Sequence, residues 1–244
     1  MNKVGVIGGM GPSATIDFYQ KLVAQTVANR DQEHIPMIID IVPQTPDRSD
    51  FILGNGENPV SSLIESGMRL HQIGAKAYCM PCNTAHAFAP RLEEVIPIPL
   101  ISMIDSTVKA VAEVCPDSKK IALFATTGTI VSGVYHGAFA RASMQVLPLS
   151  RNTQDKVMRS IRGVKAGRGK AFVSVMQSCV HDAEKLGADC IVAACTELPL
   201  LTRDIDTSVP IVDPTFALAG EVVSFALTTE LAETGLVFER RQQI

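Results

Sequence analysis

The chain reads as an α/β protein of two pseudo-symmetric lobes, each a parallel sheet flanked by helices, with a ligand site between the lobes. Three observations predict this. First, β-branched runs that end in glycine or small polar residues alternate with segments of helical periodicity, the pattern of parallel strands joined by right-handed crossovers. Second, the chain starts again half-way along: Lys120–Thr129 lines up with Lys3–Pro12 at an offset of 117 (3 to 120), with Gly128 on Gly11 and Tyr135 on Phe18. Third, two apolar runs end in a cysteine at the same place. Ile73-Gly74-Ala75 leads to Cys82-Asn83-Thr84, and Leu186-Gly187-Ala188 leads to Cys195-Thr196-Glu197, an offset of 113 (82 to 195). Pro99–Ser102 and Pro210–Asp213 form a further pair, offset by 111 (99 to 210). Pairs in the same order with a nearly constant offset indicate an internal duplication, and a unit of half the chain is too long for a solenoid. The expected lobes are residues 1–98 with 210–244, and residues 99–209.

Bulk properties narrow the function. The 244 residues are ample for a buried core, and a formal charge of −3 with 22 Lys+Arg leaves no basic surface for nucleic acid or an anionic membrane. A small molecule is the expected partner. The apolar stretch after Met1-Asn2-Lys3 is too short for a signal peptide, and no run approaches the ~20 residues of a membrane span, which points to the cytosol. Six cysteines, at 79, 82, 115, 179, 190 and 195, lie mostly in apolar segments and read as reduced thiols. Cys79 and Cys82 have the Cys-x-x-Cys spacing of redox and zinc sites. No second pair accompanies them, so Cys79 reads as a buried strand residue and no metal is expected.

In chain order, Lys3–Ile7 is a strand and Gly8-Gly9-Met10-Gly11-Pro12 turns into a helix marked by Ile16, Tyr19, Leu22, Val23 and Val27. Pro12 suits a first helical position. Such a turn presents N–H groups to an anion, but it lacks nucleotide fingerprints, leaving a carboxylate-binding loop or a plain tight turn. Met37–Val42 is the second strand. Pro43–Asp50 is too rich in Pro and Asp to continue it, and Arg48, its only cation, is either solvated or suited to fork a carboxylate. Val60, Leu63, Ile64, Met68 and His71 mark the next helix face. After Cys82 come a helical segment to about Glu94, a strand within Pro97–Ile104 and a helix to about Val114, which Cys115-Pro116 breaks. In the second half Met144–Leu149 is a strand, Thr153–Arg162 and Phe172–Leu186 are helical, and Val164–Lys170 between them reads as a loop. Pro214–Leu231 is the last helix, and Glu239–Ile244 is a polar tail whose Arg240-Arg241 faces an interface or solvent.

Ligands of parallel sheets collect at the carboxyl ends of strands, where Cys82 and Cys195 both fall. If equivalent positions face each other, the two thiols flank a ligand. One can remove a proton from one face of a carbon while the other delivers a proton to the opposite face, which inverts the centre. A thiol with a reference pKa near 8.5 can play either part. Asn83, Thr84 and Thr196 are placed to hold the ligand, with Met10 and Thr127 at matched positions of the two turns (10 to 127, offset 117). The alternative is that both cysteines are buried structural residues. His86 either assists Cys82 or simply starts a helix.

Val6-Ile7-Gly8-Gly9-Met10-Gly11-Pro12, Pro81-Cys82-Asn83-Thr84-Ala85-His86 and Ile191–Pro199 resemble the motifs of the aspartate/glutamate racemase family, closest to the aspartate racemases. The resemblance implies a cofactor-independent amino-acid racemase, a homodimer, with the two cysteines as its acid and base and no pyridoxal phosphate. It also implies that Arg48, in Pro46-Asp47-Arg48, and Lys165, in Lys165-Ala166-Gly167, bind substrate carboxylate. Glutamate racemases typically carry Asp-Ser where Met10-Gly11 stands, and His where Glu197 stands, which favours the aspartate branch. Glutamate or broad specificity remains open, as does chemistry like that of hydantoin racemases, maleate isomerases or arylmalonate decarboxylases. A non-enzymatic alternative is a two-lobed protein that closes on a small anion.

Overall fold

The structure, a computed structural model, describes residues 1–202 and 205–234. The expected polar tail Glu239–Ile244 and Arg240-Arg241 lie outside the described residues. The first half runs β1 (Val4–Gly8), α1 (Pro12–Gln25), β2 (Met37–Ile41), α2 (Arg48–Ile52), α3 (Val60–Gln72), β3 (Ala77–Cys79), α4 (Ala89–Glu93), β4 (Leu100–Ile101) and α5 (Met103–Val114). The second runs β5 (Lys120–Ala125), α6 (Thr127–Ser132), α7 (Val134–Arg141), β6 (Gln145–Leu147), α8 (Arg151–Lys165), α9 (Val173–Lys185), β7 (Cys190–Ala194), α10 (Pro199–Thr202), β8 (Ile211–Val212) and α11 (Pro214–Thr234). Two four-stranded sheets result, ordered β2-β1-β3-β4 and β6-β5-β7-β8, every pair parallel. The two halves therefore share one strand order, as the duplicated sequence predicts. The central strands β1 and β7 are buried along their whole length, which fits their unbroken apolar character.

The last helix of each half crosses to the other sheet. Leu218, Ala219, Val222 and Ala226 of α11 pack with Phe18 and Leu22 of α1 against β1, while Ile104 and Val111 of α5 pack against β5 and β7. The lobe limits expected from the sequence assign two short strands to the opposite lobe. Leu100–Ile101 pairs with β3 and Ile211–Val212 with β7, so each strand stays in the sheet of its own half and only the helix after it departs.

Local corrections have local causes. The inner side of α1 is Ala14, Phe18 and Leu22, which meets α11; Ile16, Tyr19, Val23 and Val27 are exposed. On α3 the buried residues are Leu63, Ser66, Gly67 and Leu70, with His71 exposed. Helix α5 starts at Met103 rather than after Ile104, because the Ser102 hydroxyl caps it by accepting from the Asp105 N–H at 3.2 Å. Arg48 opens α2 instead of lying in a loop, since the Asp47 carboxylate accepts from the N–H groups of Ser49 and Asp50. Helix α8 continues through Lys165, putting that lysine in a last helical turn. In the β1–α1 turn Gly9 has φ +91°, and a Cβ there would sit 2.6 Å from the Val42 backbone, so only glycine fits. Among the described residues no helix is long and apolar enough to cross a membrane.

Candidate active site

A cleft opens where the carboxyl ends of the two sheets meet. Met10 reaches it from the β1–α1 turn, Arg48 and Ser49 from α2, and Cys82, Asn83 and Thr84 from the segment after β3. The other half contributes Thr126 after β5, Lys165 at the end of α8, and Cys195, Thr196 and Glu197 after β7. Eight of the nine residues selected from the sequence thus share one cavity. Thr127 does not line it, and its N–H instead faces the Met158 sulfur at 3.3 Å. Its neighbour Thr126, the N-cap of α6, is the wall residue.

Around Cys82 the backbone turns tightly, the Cys82 N–H reaching the Met80 carbonyl at 2.7 Å. His86, four residues on, donates from Nδ1 to the Cys82 carbonyl at 3.0 Å and accepts the Met103 N–H on Nε2 at 3.0 Å. Burial pushes its pKa down to about 4, so the ring is neutral and both nitrogens are engaged with backbone. His86 is thus a strut between the cysteine turn and α5, with neither ring nitrogen left for the Cys82 thiol. Cys79, the other half of the Cys-x-x-Cys spacing, is fully buried in the core against β1, its thiol pushed up by burial. Asn83 is buried, with its Oδ1 accepting from the Tyr135 hydroxyl at 2.6 Å.

Cys195 has a different setting. Its thiol donates to Glu197 Oε2 at 2.9 Å, and the Thr196 hydroxyl donates to the same oxygen at 3.3 Å. Lys165 Nζ stands 3.9 Å from the other carboxylate oxygen. Burial raises the Cys195 pKa well above that of a free thiol and the Glu197 charge adds to this, with Lys165 pulling the other way. Burial likewise opposes the charge on Lys165, but Glu197 and then the two thiols outweigh it and raise the lysine pKa. Sequence reading used Glu197 as a branch marker and, with Thr196, as the neighbour that sets Cys195 apart from Cys82, without foreseeing its contact with the thiol. Its spacing, two residues past a cysteine at a strand end, was the available signal for contact with the thiol.

Arg48 is buried, and Nη1 donates to the carbonyls of Thr45 and Pro46, at 3.1 and 3.0 Å; its Nε has no hydrogen-bond partner among the described residues. The guanidinium is therefore held by its own loop rather than solvated. Asp47 also reaches the cavity wall; burial raises its pKa, but the N–H bonds of Asp50 and Ser49 and the charges of Arg48 and Lys165 together lower it. A hydroxyl cluster joins the halves: Ser49 donates to Thr126 at 3.0 Å, and Thr84 meets Thr126 and Thr129 at 3.0 and 2.8 Å. Among the described residues no group of three or more His, Cys, Asp or Glu could hold a metal ion.

The model of the Asp/Glu/hydantoin racemase family matches residues 7–222, nearly the whole chain. The chain belongs to that family. Among solved structures, an aspartate racemase from Picrophilus torridus superposes with a TM-score of 0.83 at 30% identity, covering 93% of this chain and 94% of that one. Among relatives, the broad specificity amino-acid racemase RacX of Bacillus subtilis is 26% identical over 228 residues, 91% of this chain and 96% of its own. A glutamate racemase of Corynebacterium diphtheriae is 31% identical over 173 residues, 66% of this chain and 64% of its own. These relatives make the protein an amino-acid racemase, an isomerase of small substrates. Within this racemase, Ser49 and Thr126, which sequence reading passed over, and Glu197, whose bond to the thiol it did not foresee, pair across turns or across halves, which no single stretch displays.

Proposed function

We propose that this racemase inverts the α-carbon of an acidic amino acid, aspartate first, by proton transfer between Cys82 and Cys195. The observation that carries the reading is the cavity itself, where two cysteines from matched positions of the duplication share walls with two cations, Arg48 and Lys165. A substrate with two carboxylates suits two separate cations better than a neutral amino acid does. The likeness to an aspartate racemase along 93% of the chain supports the same choice.

In one direction Cys82, as thiolate, takes the Cα proton from one face. The electron pair moves toward the substrate carboxylate, and the Cys195 thiol delivers its proton to the opposite face. Cys195 is held as a thiol by its burial and by Glu197, which readies it to give a proton. The reverse direction starts from the state this leaves, Cys195 as thiolate and Cys82 as thiol, so that Cys195 takes the Cα proton and Cys82 delivers its own. Glu197 Oε2, 2.9 Å from Cys195, is the base positioned to accept the Cys195 proton when the free enzyme resets between the two states, with Cys82 regaining a proton from water. Transfer between two thiols calls on no cofactor. The homodimer implied by the family resemblance, and the cytosolic setting expected from the sequence, accompany this reading; light scattering tests the first.

The deciding experiment is a chiral assay across the standard amino acids in D₂O. Aspartate or glutamate should invert fastest and acquire deuterium at Cα as it does. The similarity to the broad-specificity relative favours a second outcome, inversion of several amino acids at comparable rates. Inversion confined to non-acidic amino acids would remove Arg48 and Lys165 from the proposed roles.

A further inference from the structure

The side chain of Asn83 poses a problem that the two-thiol scheme leaves unsolved. Its amide lies in the cavity wall, is 97% withdrawn from solvent, and leaves Nδ2 with no hydrogen-bond partner among the described residues. An unpaired buried NH₂ group is costly, and its orientation could be reversed by a half-turn of the amide. Something must hold it.

Tyr135 of α7, fully buried in the other half, supplies the hold. Its hydroxyl lies 2.6 Å from Asn83 Oδ1, a separation typical of O–H···O and too short for the usual 2.9–3.0 Å of N–H···O. The other neighbour of the phenol, Thr107 Oγ1, is 3.2 Å away and gives its own proton to the Met103 carbonyl at 2.6 Å. The single phenol proton therefore goes to the amide oxygen. Burial pushes the Tyr135 pKa upward, which keeps that proton in place.

We infer that Tyr135 is a positioning residue: by binding the amide oxygen of Asn83 from across the lobe interface, it fixes the NH₂ as a donor for a carboxylate of the substrate. The inference rests on the reading above only in taking an amino acid as the occupant of the cavity. The device exists once. The position matched to Tyr135 in the first half is Phe18, buried in the core of its lobe and without a hydroxyl. Because Tyr135 and Asn83 belong to different halves, the donor is set only when the lobes meet as they do here.

The test uses the full chain as Tyr135→Phe, Asn83→Ala, Asn83→Asp and the double variant Tyr135→Phe/Asn83→Ala. KM and kcat are measured for aspartate inversion, and calorimetric titrations with aspartate and succinate give binding apart from turnover. Tyr135→Phe should raise KM and both dissociation constants about tenfold while moving kcat by less than about threefold. The same change made in the Asn83→Ala background should add less than about twofold, since the residue acts through the amide. Asn83→Asp keeps an acceptor for the phenol but replaces the NH₂ with a carboxylate oxygen; it should weaken binding at least as much as Asn83→Ala. Effects that multiply in the double variant, or an Asn83→Asp protein with unchanged affinity, would overturn the inference. The second comparison stands even if Tyr135→Phe fails to fold. A wild-type chain that binds the dicarboxylates without inverting any amino acid would instead sink the proposed function and leave the positioning role to be decided by the titrations.

Discussion

The two halves place the same thiol at the end of the same strand and surround it with different chemistry. After Cys82, the polar side chains of Asn83 and Thr84 are claimed by the opposite half through Tyr135, Thr126 and Thr129. After Cys195, the side chains of Thr196 and Glu197 turn back, and a carboxylate lies on the thiol itself. The duplicated backbone thus fixes where the thiols are, while unlike neighbours give each a different set of partners. Under the proposed mechanism one thiol gives a proton while the other takes one, and the unlike surroundings let the two parts be probed separately.

The largest expected effect tests the shared part of the comparison. Cys82→Ala and Cys195→Ala should each lower inversion of the preferred substrate by about a thousandfold or more, measured as kcat/KM by chiral chromatography. Undiminished inversion by either variant breaks the pairing of the two thiols and with it the two-base mechanism.

The next effect belongs to the Cys82 half alone, because the position matched to His86 at the cysteine offset (86 to 199) is Pro199. Folding holds the His86 pKa at about 4 against an ordinary 6.5, so between those values the unfolded chain binds the extra proton. Stability from this residue is therefore complete above about pH 6.5 and is lost as the pH falls toward 4, by about 3 kcal/mol over the window. Urea denaturation at pH 7 and pH 4.5 measures it, and the His86→Gln protein should show a correspondingly flatter dependence. An unchanged dependence would mean that the ring is not held neutral by the cysteine turn.

The unlike half is probed by Glu197→Gln, which keeps the shape and removes the charge. A drop in kcat/KM of about thirtyfold, some 2 kcal/mol, is expected from losing the proton acceptor beside Cys195. Glu197 raises the Cys195 pKa, so its replacement should move the limb of the pH–rate profile governed by that thiol toward lower pH. A profile that keeps its shape would uncouple Glu197 from the thiol and restore the two halves to near equivalence.

What could be read from the sequence follows the same division. Strands, the repeat and the two cysteines are local or periodic features, and they were legible because burial writes them into neighbouring residues. The start of α2 was also written locally, in the Asp47 cap, though the Pro-rich context masked it. Contacts between halves were not legible. Thr126 rather than Thr127 lines the cavity because the α6 cap turns it toward Ser49 and Thr84, and nothing in a run of two threonines tells which one turns inward. Nor does an alignment of Phe18 with Tyr135 reveal that one hydroxyl reaches an asparagine 52 positions away. Lys165 was recognisable only through its motif, because its partner Glu197 lies beyond the whole of α9 and β7.

The smallest expected effect sets two matched glycines against each other. A Cβ on Gly128 would lie 2.6 Å from the Ser49 Cα, a backbone atom that cannot swing aside, whereas on Gly11 the nearest atom is a Glu197 oxygen at 4.0 Å. Gly128→Ala must therefore push α6 away from α2, stretching the hydroxyl links by which Ser49, Thr126 and Thr84 join the halves. A loss of about 1.5 kcal/mol, the middle of the range for overpacking, should appear as a lower urea midpoint, with Gly11→Ala within about 0.5 kcal/mol of the parent. The catalytic readout sharpens this further. If the site depends on how closely the lobes meet, Gly128→Ala should raise KM in the same direction as Tyr135→Phe, since both loosen the cross-lobe grip on the Asn83 segment. Equal destabilisation by the two alanines would show instead that the interface at α2 and α6 yields without cost, and that the halves are held together elsewhere, as by α5 and α11.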